Sequence, residues 1–238
     1  MNSPLYWGLV AAAGQGRRMA RDDLPKQYHR LAGRSVLAWS VDALRQVSGM
    51  AGVMVVRARG DDSDWARLGL DSATDVRSCR GGHTRQASVL AGLEALRAWG
   101  AADGDRVLVH DAARPAVTAA AIQRLIEAVG DDRDGGLLAV PVRDTLKRAD
   151  EHGRVRETAD RTGLWQAMTP QLFPLGRLRD ALVACADMAV TDEAQAMERG
   201  GARPRLVIGD PANIKYTYPD DARWLEHALQ DQRKGGDG

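Results

Sequence analysis

Short apolar runs, separated by stretches with helical periodicity, constrain the fold of this chain more than any other feature. Gly52–Val56 (GVMVV), Arg106–Val109 (RVLV) and Gly136–Val142 (GLLAVPV) are apolar almost throughout, and Leu5, Leu9 and Val10 with Ala11–Ala13 form a similar run. Between them lie amphipathic segments. One begins after a capping Ser35 and carries Val36, Leu37, Val41 and Leu44 on one face; another spans Arg85–Trp99 with Val89, Leu90, Leu93 and Leu96; a third spans Thr118–Val129. Strands that are apolar on both sides need cover on both faces, so the pattern predicts an α/β fold: a parallel sheet between two layers of helices. Ligands of such sheets bind beyond the carboxyl ends of the strands, where VAAAGQG and VHDAARP both fall.

The first of these turns is rich in chemistry. After the apolar run come Gly14 and Gly16, which let the backbone approach a ligand, then Arg17, Arg18 and, after RDDLP, Lys26. Exposed amides beside three cations make a cradle for several negative charges, as in a triphosphate. The dinucleotide fingerprint requires a third glycine where Met19 stands, and Arg21–Pro25 interrupts any helix; Walker A is absent. A solvated basic loop that contains glycine is the competing reading of this segment.

The second turn places Asp111 directly after a strand, a position suited to a magnesium ion, which takes oxygen ligands and keeps several waters. Capping of the next helix is the alternative, although that helix begins several residues later, near Thr118. Arg114 and Pro115 fix the turn, and His110 is expected to be an oriented structural residue rather than a base. GGHTRQAS, from Gly81 to Ser88, forms a turn into a helix, with the Ser88 hydroxyl one turn in. Thr191 is an N-cap candidate, and Lys215 follows the strand-like Leu206–Ile208 on a loop.

Arg143–Arg161 breaks the rhythm. It is polar, with a turn at Glu151-His152-Gly153, and reads as a projecting hairpin that leans on a second subunit, since a lone hairpin is marginally stable; a floppy surface loop is the competing reading. Residues 1–230 are expected to form one domain with 143–161 as its arm, and 231–238 a frayed tail. The net charge of +1 gives no reason to expect a nucleic acid or membrane partner. The two cysteines support neither a disulfide framework nor a zinc cluster, and MNSPLYWGLV lacks the features of a secretory signal, so a cytoplasmic location is expected.

Taken together, VAAAGQGRRM, PKQY, GGHTRQASV, VHDAARP, RDTLKR, DR with LWQAMTPQLF, TDEA and NIKYTYPDD occur in the order and approximate spacing of one family. From Leu9 to about Asp221 the chain resembles the 2-C-methyl-D-erythritol 4-phosphate cytidylyltransferases. The resemblance implies a Rossmann-like, mostly parallel sheet, a homodimer joined through the hairpin arm, and transfer of CMP from CTP to the sugar phosphate with Mg2+. It implies that Gly14, Gly16, Arg17, Arg18 and Lys26 hold the CTP phosphates, with Arg18, Lys26 and Lys215 as catalytic charges on the α-phosphate. It implies further that Ala12, Ala13, Gly82, His83 and Ser88 line the nucleoside pocket and that Asp111 works with magnesium. Arg114, Thr145, Thr169 and Thr191 would lie near the sugar phosphate, and Arg161 would reach it across the dimer.

Two positions depart from the family's pattern. Ala11 stands where proline is common, which removes a stiff turn but no functional atom, and His83 stands where aspartate is frequent. Three rival functions are weighed: a cytidylyltransferase for ribitol 5-phosphate, a nicotinamide-dependent oxidoreductase, and a non-catalytic nucleotide-binding regulator. The missing third glycine and the basic loop disfavour the second, and the regulator would not need Asp111, Lys26 and Lys215 together.

Overall fold

The computed structural model describes residues 4–14, 24–62, 70 and 73–236; Gly16, Arg17 and Arg18 lie outside the described residues. The chain runs through β1 (Tyr6–Ala12), a single 3-10 turn at Lys26–Tyr28, the short ladder of β2 (Arg30–Leu31) with β3 (Arg34–Ser35), and helix α1 (Val36–Arg45). Strand β4 (Met50–Arg57), strand β5 (Val76–Arg80), helix α2 (Arg85–Trp99), strand β6 (Arg106–Asp111), helix α3 (Ala119–Val129) and strand β7 (Gly136–Pro141) continue the alternation. After them come β8 (Leu146–Ala149), β9 (Val155–Ala159), β10 (Trp165–Pro174), α4 (Leu175–Ala184), α5 (Glu193–Arg199), β11 (Arg205–Ile208) and α6 (Asp221–Gly236).

Helix starts are set by side-chain caps. The hydroxyls of Ser35, Thr84 and Thr118 accept from the amides of Ala38, Ala87 and Ala121, at 3.1, 3.0 and 3.1 Å. With Thr118 as the cap of α3, Asp111 has no capping task.

The seven-stranded sheet has the order β11-β7-β10-β6-β1-β4-β5. Alternate residues of each strand feed different sides. Val10, Val53, Val55 and Leu108 join the core under α1 and α3, whereas Leu9, Met54, Val56, Val107 and Val109 join the core under α2 and α4. A Cβ on Gly92 of α2 would come within 2.6 Å of Val56, so glycine lets that helix lie close on the sheet. A third cluster, with Leu31, Val36, Ala116, Tyr216, Leu225 and Leu229, fastens α6 over the turn that follows β6.

The sheet is mostly parallel, as the resemblance implies; β10 is the strand that runs antiparallel, to both β6 and β7. Its register slips between Ala167 and Gln171, and this irregularity accommodates Pro170, which has no amide for a ladder. Two expectations need correction. Leu5 is half exposed and precedes β1 rather than belonging to a buried strand. The expected tail is also helical as far as Gly236: Gln232 donates to the Ala116 carbonyl at 2.8 Å, and Arg233 stacks on Trp39 with 4.8 Å to the ring centroid.

The hairpin is present as β8 and β9, a separate two-stranded antiparallel ladder with mostly exposed side chains. Asp150 accepts from the amides of His152 and Arg154 at 3.0 and 2.8 Å, and Gly153 takes a φ of 74° to close the turn. Among the described residues no helix is long and apolar enough to cross a membrane.

Candidate active site

The turns after β1, β4, β5 and β6 leave the same edge of the sheet, because Ala12 pairs with Arg57, Arg57 with Arg80, and Ala11 with Asp111. They line a crevice of about 670 Å³. Ala12, Ala13, Gly14, Lys26, Gly82, His83, Ser88, Asp111 and Lys215 all face it, so residues far apart in sequence converge as expected. A second hollow, of about 300 Å³, is lined by Arg114, Arg143 and Gln166 among others, and Lys215 borders both.

The PKQY segment works as a clasp. The Lys26 ammonium donates to the Tyr216 carbonyl at 2.8 Å, and buried Gln27 donates to the carbonyls of Ala12 and Gly14 at 2.9 and 3.2 Å. Tyr28 donates to Asp61, and burial, then Asp61, pushes its phenol up to about 12. Tyr216 in turn donates its amide to the Ala113 carbonyl at 2.7 Å. Lys26 and Lys215 are thus brought to one crevice by a chain of backbone contacts.

Asp111 is nearly buried, with one oxygen 2.6 Å from Lys215 Nζ and the other 3.2 Å from Arg85 Nη2. Burial alone would raise its carboxyl; Arg85, Lys215 and Arg114 overcome that and hold it well below the usual carboxylate range. It is therefore ionised at neutral pH. Arg85 spans from Asp111 to the fully buried Glu193, at 2.5 and 3.0 Å. Burial raises the Glu193 carboxyl, opposed by the guanidinium.

His110 is a structural residue. Asp111 donates its amide to Thr169 Oγ1 at 3.0 Å, Thr169 Oγ1 lies 2.9 Å from His110 Nδ1, and His110 Nε2 lies 3.1 Å from the Arg114 carbonyl. These partners assign a neutral ring with its proton on Nε2. Burial is the main cause that pushes the imidazole down to about 4 from 6.5. Because the folded value lies below the unfolded one, this contribution is complete above pH 6.5 and is lost as pH falls toward 4. Between pH 7 and 5 the wild type is expected to lose about 2 kcal/mol more than a His110→Gln variant, read by urea denaturation. Parallel curves would contradict a buried neutral ring.

In GGHTRQAS the Ser88 hydroxyl is engaged within its own turn: it donates to the Thr84 carbonyl at 2.8 Å and accepts from the Gly82 amide at 3.1 Å. It shapes the turn, and a Cβ on Gly82 would meet Ala87 at 2.5 Å. His83 turns its Nε2 toward Arg59 Nη1 at 3.0 Å, while Arg59 Nε reaches the Gly81 carbonyl at 3.3 Å. Sequence reasoning missed Arg59, which lines the crevice from the loop after β4; nothing in its local sequence marks it. It also missed Arg85 and Glu193, although both lie inside motifs that it had marked.

The remaining expected residues are more dispersed. Arg114 donates to the Asn213 carbonyl at 2.7 Å, and burial lowers its pKa. The hydroxyl of buried Thr169 is engaged with Asp111 and His110, as above. Thr145 and Arg161 are exposed at the base of the hairpin, where Arg161 donates to the Arg143 carbonyl. Thr191 is exposed and is not the N-cap; Asp192 is, accepting from the Gln195 amide at 3.0 Å, while Thr191 donates its own amide to the Gln195 side chain.

The family model of the 2-C-methyl-D-erythritol 4-phosphate cytidylyltransferases matches residues 7–231. A protein of that name from Pseudomonas putida is 49% identical over 232 residues, covering 97% of this chain and 98% of its own. A solved 4-diphosphocytidyl-2C-methyl-D-erythritol synthase superposes with a TM-score of 0.83 at 38% identity, over 96% of this chain and 100% of the other. The Francisella tularensis 2-C-methyl-D-erythritol 4-phosphate cytidylyltransferase structure gives 0.80 at 31%, over 94% and 100%. On the match over residues 7–231 and the 49% identity across nearly the whole chain, the chain belongs to the 2-C-methyl-D-erythritol 4-phosphate cytidylyltransferase (IspD) family.

Proposed function

We infer that this chain transfers CMP from CTP to 2-C-methyl-D-erythritol 4-phosphate, giving 4-diphosphocytidyl-2-C-methyl-D-erythritol and pyrophosphate. The observation that carries the mechanism is the convergence of Lys26, Lys215 and Asp111 on one crevice, with Lys215 also bordering the second hollow. CTP occupies the larger space and the sugar phosphate the smaller, so the acceptor meets the α-phosphorus beside Lys215. A phosphate oxygen of the acceptor forms the new P–O bond as the bond to the β-phosphate breaks, and pyrophosphate leaves with the electron pair. The nucleophile is already anionic, so no base and no covalent enzyme intermediate are needed. The chain's task is to position two anions and neutralise the charge between them. Gly14 and Lys26, with Gly16, Arg17 and Arg18, hold the triphosphate; Ala12, Ala13, Gly82, His83 and Ser88 border the nucleoside.

Magnesium fits these residues. Asp111 is an ionised carboxylate on the crevice, and among the described residues no group of three or more metal-binding side chains occurs. One carboxylate plus substrate phosphates and water is a usual magnesium environment. The ion would screen charge on the triphosphate, with Asp111 exchanging Lys215 for it.

Residues 1–230 work as one nucleotidyltransferase domain, and 143–161 as the arm of a homodimer. The free cysteines, Cys79 and Cys185, suit a cytoplasmic setting. Arg161 reaches the acceptor phosphate of the neighbouring subunit, with Arg114, Thr145, Thr169 and Thr191 around that substrate. Arg161→Ala is expected to raise the acceptor KM about tenfold or more while kcat changes less. In a heterodimer of Arg161→Ala and Lys215→Ala chains, one of the two sites regains both residues, and turnover returns at acceptor concentrations well below the KM of Arg161→Ala. Mixed chains no more active than the separate variants would contradict action across the dimer. The reaction itself is tested by phosphorus NMR. The monoester signal of the acceptor is expected to give way to two coupled diphosphate signals, whereas CMP or CDP as the only product would contradict the transfer.

A further inference from the structure

Glu193, Arg85, Asp111 and Lys215 form a row of alternating charges that crosses the end of the sheet. The Arg85 fork lies on Glu193 at 2.5 and 3.0 Å, a single N–H reaches Asp111 at 3.2 Å, and Lys215 holds the other Asp111 oxygen at 2.6 Å. Arg85, Asp111 and Lys215 line the crevice, but Glu193 does not; its side chain is 1% exposed. Glu193 is itself fixed from behind. Buried Gln171 of β10 accepts from the Ala194 amide at 2.8 Å and donates to Asp192 at 2.9 Å, which holds the first turn of α5 against the sheet.

Resting on the function inferred above, we propose that Glu193 is a positioning residue that occupies the fork of Arg85, so that Arg85 steadies one oxygen of Asp111 and leaves the other for exchange between Lys215 and the metal–nucleotide complex. A guanidinium offers five N–H groups and pairs best with a carboxylate through two of them. With Glu193 in place, that bidentate arrangement is taken, and Asp111 receives only one bond. Without the Glu193 charge, the fork turns to Asp111, claims both oxygens and competes with the cation. A buried ion pair is a poor source of stability compared with apolar packing, which leaves the geometry at Asp111 as the consequence that matters.

The experiment compares wild type, Glu193→Gln, Arg85→Lys and the double variant. Mn2+ affinity of each enzyme with CTP is read by electron paramagnetic resonance, alongside half-saturating Mg2+ and acceptor KM in turnover. Two different variants are used because removing one partner of a buried pair can unfold a chain by itself. Each single variant is expected to weaken Mn2+ binding by roughly 10-fold, the size typical of groups that orient a metal ligand, with acceptor KM unchanged. Since Glu193 acts through Arg85, the double variant is expected to be no weaker than Arg85→Lys alone. Unchanged Mn2+ affinity in folded single variants, or losses that simply add, would overturn the positioning role and leave the transfer reaction standing. A wild type that turns over CTP with no metal dependence would instead remove the metal from the function inferred above, and this role with it.

Discussion

A Lys215→Ala enzyme is expected to turn over roughly 10²–10³-fold more slowly than wild type, a loss of about 3–4 kcal/mol of transition-state stabilisation. Lys215 borders both hollows, the two spaces assigned above to the anionic substrates. Its side chain is 44% exposed, and Arg85 still pairs with the nearly buried Asp111 when the lysine is removed, so the variant is expected to fold. The loss belongs in kcat rather than in the melting temperature. Lys26→Ala is expected to fall in the same range, and because Lys26 is tied to the Tyr216 carbonyl next to Lys215, the two losses are not expected to add. Near-normal turnover in either variant, measured with both substrates saturating, would remove that lysine from the chemistry.

Phe173→Ala is expected to cost about 3–5 kcal/mol of stability, the range for deleting a buried aromatic ring. Phe173 is the chain's single phenylalanine and is fully buried in the core under α2 and α4. Its ring lies so close over Gly135 that a Cβ there would come within 2.2 Å. Such a loss is a large part of the 5–15 kcal/mol by which domains are stable. Phe173→Leu, which keeps most of the volume, is expected to cost much less. Urea denaturation of both variants checks the pair; equal and small losses would mean that the ring does not fill the core.

Phe173 also shows where sequence patterning runs out. It sits on β10, whose Trp165–Pro174 contains Pro170 and polar Gln166, Thr169 and Gln171, so it does not look like a buried strand. The proline is accommodated by a slip in register, a property of the pair of strands and not of either alone. Strand β5, Val76–Arg80, was missed because it lies at the sheet edge and is only partly buried. By contrast, α2 was legible to the residue, since Thr84 caps it and Gly100 closes it.

The site divides in the same way. Glycine turns, Lys26 and Asp111 are visible because strand-end chemistry is local. The Arg85–Glu193 pair joins residues 108 positions apart, and the Lys26–Tyr216 contact spans 190. Only folding brings these together. The Ser88 hydroxyl bonds back to its own turn, as a hydroxyl one turn into a helix does.

The most direct test of the central claim is pyrophosphate release from CTP and magnesium, with 2-C-methyl-D-erythritol 4-phosphate and ribitol 5-phosphate offered separately. Family membership and the convergence of Lys26, Lys215 and Asp111 predict turnover with the first and little with the second. Preference for ribitol 5-phosphate, or no release with either, would contradict it.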